Sequence, residues 1–200
     1  RFNKIAIDSA EIEYNVHGLT PGVSPTRPTL AGEAIYDAIP SVLPSNFASQ
    51  GYQATQTFEL GDKITFKPDT GRSLLNGAVT LSSWACESGQ WDLGTCLTTP
   101  GATFNHPITL TLYAVAGDGS VGAPIASRTQ TFAIPYRPSA DITCEGGRWK
   151  DANGDCFNGY NHVVVFDLTG ITVPDTVIYG VAYNTQSYGN APIGVDGPYN

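Results

Sequence analysis

Four cysteines, all of them inside two copies of one short loop, restrict this chain more than any other feature of its 200 residues. Cys86-Glu87-Ser88-Gly89-Gln90-Trp91 runs on to Gly94-Thr95-Cys96, and Cys144-Glu145-Gly146-Gly147-Arg148-Trp149 runs on to Gly154-Asp155-Cys156. In both copies Glu follows the first Cys, Trp stands five places after it, and Gly stands two places before the closing Cys. An even number of cysteines grouped in this way reads as disulfides made in an oxidising compartment, and so as an extracellular or cell-surface protein. Local pairing, Cys86 with Cys96 and Cys144 with Cys156, makes each loop a self-contained unit. Zinc is the alternative, but paired C-x-x-C spacing is absent and each loop offers a Trp where further ligands would be needed. A bridge across so short a loop stabilises by roughly 2 to 3 kcal/mol in the chain-entropy model and mainly fixes the loop itself.

Around these loops the chain alternates. Each loop leads through an Asn-His pair, Asn105-His106 and Asn161-His162, into a β-branched run. Ile108, Leu110 and Leu112 are interleaved with Thr109, Thr111 and Tyr113, and Ile12, Tyr14 and Val16 with Glu11, Glu13 and Asn15, the period of half-buried strands. The segment from Tyr52 to Leu60 alternates too and predicts a hairpin through Gly61-Asp62 into residues 63–67. Strands are expected at 78–84, 107–115, 125–134, 162–168 and 176–183, with turns at Gly117-Asp118-Gly119 and Val173-Pro174-Asp175. A short strand at Ile35-Tyr36 competes with a short helix over residues 31–38. Residues 18–34, with Pro21, Pro25 and Pro28 among glycines, form an extended loop. About eight strands without helical periodicity predict an all-β, antiparallel sandwich of jelly-roll type in a single domain spanning residues 1–200.

Charge excludes one class of partner. The net charge is -8, with no clusters of Lys and Arg to neutralise phosphates, so nucleic acid is a poor candidate. No apolar run approaches the roughly 20 residues needed to span a bilayer as a helix. Charged residues make up only 14% of the chain, well under the roughly 25% usual in soluble domains, so Thr, Ser, Asn, Gln and Gly must cover its surface. A chain that opens at Arg1 and contains no Met reads as a processed product. Its tail, residues 184–200, closes in a loop-like stretch at Pro198-Tyr199-Asn200 and reads as cut short of a following strand.

Candidate sites follow from residue chemistry. Aromatic faces stack on sugar rings and side-chain amides hydrogen-bond hydroxyls, which makes Trp91, Trp149, Tyr183, Asn184, Gln186 and Tyr188 candidate glycan contacts. Their alternative is a plain polar loop with its tyrosines flat on the sheets. Asp151, Asn153 and Asp155 place oxygen-bearing side chains at alternate positions, as the first half of a Ca2+ loop does. The match fails at Cys156 and at His162, where Gly and a bidentate Glu are expected, so turn formation is the alternative. His106 and His162 are expected to cap strand starts. Asp167 is expected to mark a strand end beside Thr169-Gly170 rather than to act as the buried acid of an isopeptide bond. No serine-hydrolase elbow, zinc-protease helix or phosphate loop occurs. Glu11 with Glu13, and Glu59 with Asp62, are carboxylate pairs that no signature singles out as catalytic.

Gly51-Tyr52-Gln53-Ala54-Thr55-Gln56-Thr57, Leu81-Ser82-Ser83-Trp84, Thr131 to Pro138 and Val177 to Thr185 together resemble the recurring blocks of a family of secreted bacterial proteins of uncharacterised function. The resemblance spans most of residues 35–200 and leaves out the Pro-rich stretch 18–34. It implies an exported β-rich domain with further residues after Asn200, and it carries no active site. The expected task is a non-catalytic extracellular module that binds glycan or assembles with other surface proteins. A polysaccharide hydrolase and a filament subunit joined by strand exchange are the alternatives.

Overall fold

A computed structural model describes residues 5–8, the latter as backbone, together with 25–30 and 33–194. The predicted strand at 10–17 and most of the 18–34 loop lie outside these residues. Ten strands follow in chain order among these residues: β1 Ile5–Asp8, β2 Ala34–Tyr36, β3 Glu59–Thr65, β4 Ser73–Ser83, β5 Thr103–Val115, β6 Val121–Pro135, β7 Trp149–Lys150, β8 Cys156–Phe157, β9 Tyr160–Thr172 and β10 Thr176–Ala182. All pairings are antiparallel. One four-stranded sheet has the order β2-β1-β4-β9, a second has β3-β10-β5-β6, and β7 pairs with β8 inside the second cysteine loop. Among the described residues there is no α-helix, only a 3-10 turn at Glu145–Gly147.

Alternation decides which face is inside. Ile108, Leu110 and Leu112 of β5, Val177, Tyr179 and Val181 of β10, Val164, Phe166 and Leu168 of β9, and Val79 and Leu81 of β4 form one buried cluster. Both sheets feed this cluster, an arrangement compatible with the predicted sandwich. On the other face of β5 the hydroxyls of Thr109 and Thr111 pair across to Thr129 and Ser127 of β6, at 2.7 and 3.1 Å. β4 departs from simple alternation because both its faces are covered: Ile39 and Leu43 pack on Ala78 from outside, with Leu30 and Phe47 beside them. Arg27 holds this covering segment through the carbonyl of Ile39 and the carboxylate of Asp37, each at 2.6 Å.

The edges are capped. Gln130 of β6 accepts the backbone N–H of Asp167 on β9 at 2.8 Å, and Phe132 meets Phe166 edge-on beside it. Opposite, the N–H of Lys67, just past β3, donates to the carbonyl of Ile35 on β2 at 2.8 Å.

Two local expectations are overturned, and a third point is decided between its two alternatives. β3 runs straight through Gly61-Asp62, and residues 51–57 form turns, so no hairpin closes there. Gly61 is needed for contact instead: a Cβ on it would lie 1.7 Å from the Tyr179 carbonyl oxygen on β10. Residues 34–36 are strand rather than helix, paired to β1. Asp167 does not end its strand, since β9 continues to Thr172 with Asp167 exposed and accepting the Thr169 N–H at 2.8 Å. The Gly117 turn forms as expected, with Ala116 and Ser120 paired across it.

Both expected disulfides are present, Cys86 with Cys96 and Cys144 with Cys156. The loops lock onto each other: a Cβ on Gly147, whose φ is +68°, would come within 2.2 Å of the Gly94 Cα. Cys96 accepts the N–H of Ala140 at 2.9 Å. Beneath them Arg137 is wholly buried and donates to the Gly147 carbonyl at 2.6 Å. Desolvation pulls its guanidinium down to about 10. The two disulfides are consistent with an extracellular location, and among the described residues no helix is long and apolar enough to cross a membrane.

Candidate functional site

β4, β6 and β10 end, and β5 and β9 begin, at the same end of the two sheets, and a cavity of about 850 Å³ opens between them there. Its depth is formed by core residues Leu81, Ile108 and Ile134. Tyr52, Trp84, Trp91, Phe104 and Tyr183 supply aromatic walls. Nearer solvent stand Gln50, Gln53, Gln90, Asp92, Asn184 and Gln186.

Each wall residue is held by a different piece of chain. Trp84 follows directly on β4, and the first disulfide loop swings Trp91 back against it, edge to face at 4.6 Å and 84°. Tyr52 comes from the 51–57 turn, whose N–H groups at Thr55 and Thr57 close onto the carbonyls of Gly51 and Tyr52 at 3.0 and 2.9 Å. Its hydroxyl donates to the Val181 carbonyl at 2.6 Å, and its ring lies 4.0 Å from that of Tyr183. Tyr183 in turn meets His106 edge-on at 5.5 Å. Beyond Tyr183 the chain folds on itself: the Asn184 side chain accepts the Ala191 N–H at 2.9 Å, and Thr185 exchanges hydrogen bonds with Tyr188.

Two imidazoles face this space from opposite sheets, His106 on β5 and His162 on β9. Burial lowers the pKa of His106, with the Asn184 backbone opposing it weakly. Burial pushes His162 further, down to about 4, against a smaller opposing contact from the Tyr160 backbone. Burial also raises the phenols of Tyr52 and Tyr183 above their ordinary value. At neutral pH the walls therefore carry no charge, and Asp92 at the mouth is the one lining carboxylate among the described residues.

Of the six candidate glycan contacts, Trp91, Tyr183, Asn184 and Gln186 line the cavity, and Trp149 and Tyr188 do not. Trp149 is 2% exposed, donates from Nε1 to the Gly159 carbonyl at 2.8 Å and packs on Phe157 and Tyr160. The β7–β8 ribbon, which the first loop lacks, is what folds it inward. Tyr52, Trp84, Phe104 and both histidines are cavity residues that sequence reasoning did not select. The repeated Asn-His pair was the available signal, but both histidines lie within their strands rather than capping them.

The carboxylate candidates do not converge. Glu59 accepts the Tyr113 hydroxyl at 2.9 and 3.1 Å across Gly180, while Asp62 stands an odd number of residues along the same strand and so on its opposite face. Glu11 and Glu13 lie outside the described residues. Asp151 acts as the hub of a turn: Oδ1 accepts the N–H groups of Asn153 and Asp155, each at 2.9 Å, and Oδ2 accepts the Ser45 hydroxyl at 2.8 Å. Donors thus occupy the positions a cation would take, and no group of three or more His, Cys, Asp or Glu among the described residues is placed to hold a metal.

No family model matches the chain, and no curated protein or solved structure matches it either.

Proposed function

We infer that this protein is a non-catalytic extracellular module that binds an uncharged glycan in the end cavity. The observation that carries the reading is the wall composition: aromatic rings over an apolar floor, amides at the mouth and two neutral imidazoles within. A sugar presents apolar C–H faces and hydroxyls together, and such walls complement both. Concave, largely apolar spaces of roughly 300 to 1,000 Å³ with a few polar groups are the usual form of small-ligand sites. An anionic ligand would lose hydration here and meet only the like charge of Asp92. A single lining carboxylate among the described residues supports binding over glycoside hydrolysis, which typically uses two.

An array of neutral and acidic glycans, followed by calorimetry on the hits, tests this. Neutral oligosaccharides bind, and Trp91→Ala weakens them about tenfold or more, because a half-exposed ring can be truncated without opening the core. Absence of any glycan binding, or affinity indifferent to Trp91, defeats the reading.

A further inference from the structure

β2 is only three residues long and, among the described residues, joins its sheet through β1 alone. β1 also pairs with β4, Ile5 to Asp8 running against Val79 to Asn76. It therefore fills a slot with a ladder on either side. Main-chain pairing of this kind accepts any extended segment that fits the register, which is the basis of recognition by strand addition. β4 beside the slot is covered on both faces, so the occupant suited to it is apolar at successive positions, as a strand buried on both sides is. Ile5-Ala6-Ile7 is such a run.

The connection to β2 does not suit the pairing it serves. Asp8 and Ala34 are register partners, which places them roughly 4.5 to 5.5 Å apart. Antiparallel neighbours are ordinarily joined by about 2 to 5 residues. Here residues 9–33 intervene, and because Arg27 and Leu30 are held against the domain, residues 9–26, about 18 of them, set the reach, roughly 60 Å at full extension. The connection is several times longer than such a pairing needs and long enough to reach the same slot on a neighbour.

We propose that β1 is a donated strand: residues 5–8 of one copy occupy the slot between β2 and β4 of a second copy. The second copy is the fitting partner because its slot has, by identity of sequence, the register already seen. Such an exchange closes as a dimer when it is reciprocal and propagates head to tail when it is not. It is independent of the end cavity and of any glycan.

Light scattering coupled to size exclusion, from micromolar concentrations to the roughly millimolar level that a flexible tether supplies in cis, reads the exchange. The expected result is a mass that rises with concentration and falls back to one chain when a synthetic peptide of residues 3–10 is added in excess. Ala6→Pro, which removes a ladder donor, abolishes the rise. A single-chain mass at every concentration, oligomers that the peptide leaves unchanged, or oligomers formed as readily by the Ala6→Pro chain each overturn the proposal. The peptide measurement stands even if that variant does not fold.

Discussion

At the scale of single residues, His162 is the group whose chemistry the fold alters most usefully. Its folded pKa is about 4, against 6.5 when exposed. Between those values the unfolded chain holds more protons, so stability falls as pH drops from 6.5 towards 4, by on the order of 1 to 3 kcal/mol. Above 6.5 the imidazole is neutral in both states and contributes no pH dependence; below 4 the loss is complete. Urea midpoints across this window check it, read as the difference between the parent chain and His162→Gln, in which the slope flattens. Equal slopes in the two chains refute it. Residues also mark where sequence reading fails. Trp91 and Trp149 occupy equivalent places in their loops, yet one lines a cavity and the other is core. Gly61 looks like a turn residue, but its missing side chain serves contact with Tyr179. In both cases a tertiary neighbour decides, and the local pattern contains no trace of it.

At the scale of elements, the strongly alternating strands were legible. β5, β9 and β10, and the turn that joins β5 to β6, lie where period and turn chemistry put them, because inner and outer faces differ sharply there. β2 and β3 were not, since a strand of three residues and a strand containing Gly-Asp give weak or misleading local signals. The disulfide loops were legible through their repetition, but their division of labour was not. Only the first places side chains in the cavity. Replacing Cys86 and Cys96 with Ala therefore weakens the proposed glycan binding as well as reducing stability by roughly 2 to 3 kcal/mol. Replacing Cys144 and Cys156 releases the ribbon around Trp149 and reduces stability by roughly 2 to 3 kcal/mol. Denaturant unfolding and calorimetry on the two double variants separate these effects, and identical profiles would contradict the assignment.

At the scale of the whole molecule, closure matters more than any single pairing. The two sheets meet along the β6 and β9 edges, where Gln130 occupies the Asp167 N–H and Phe132 lies against Phe166. Gln130→Ala leaves that edge amide to solvent. It destabilises by about 1 kcal/mol and exposes a strand edge open to unwanted association. Accelerated aggregation with little change in melting temperature is the expected pattern, and an unchanged aggregation rate argues against it. The cavity is a whole-molecule feature as well. Its walls come from the 51–57 turn, both sheets, one disulfide loop and the segment after β10, five regions that only the completed fold brings together. For that reason sequence chemistry selected part of its lining and missed the aromatic and imidazole residues deeper inside.

The spacing of the bridges has a consequence for how the chain matures. Each cysteine finds its partner 10 or 12 positions away, while the segment between the two loops is several times longer, and shorter loops close with less entropic opposition. Oxidation can therefore reach the correct pairing on a chain that has not yet built its sheets, without an isomerase to correct it. Acquiring both bonds on first exposure to an oxidising environment would leave few wrongly bonded species to clear.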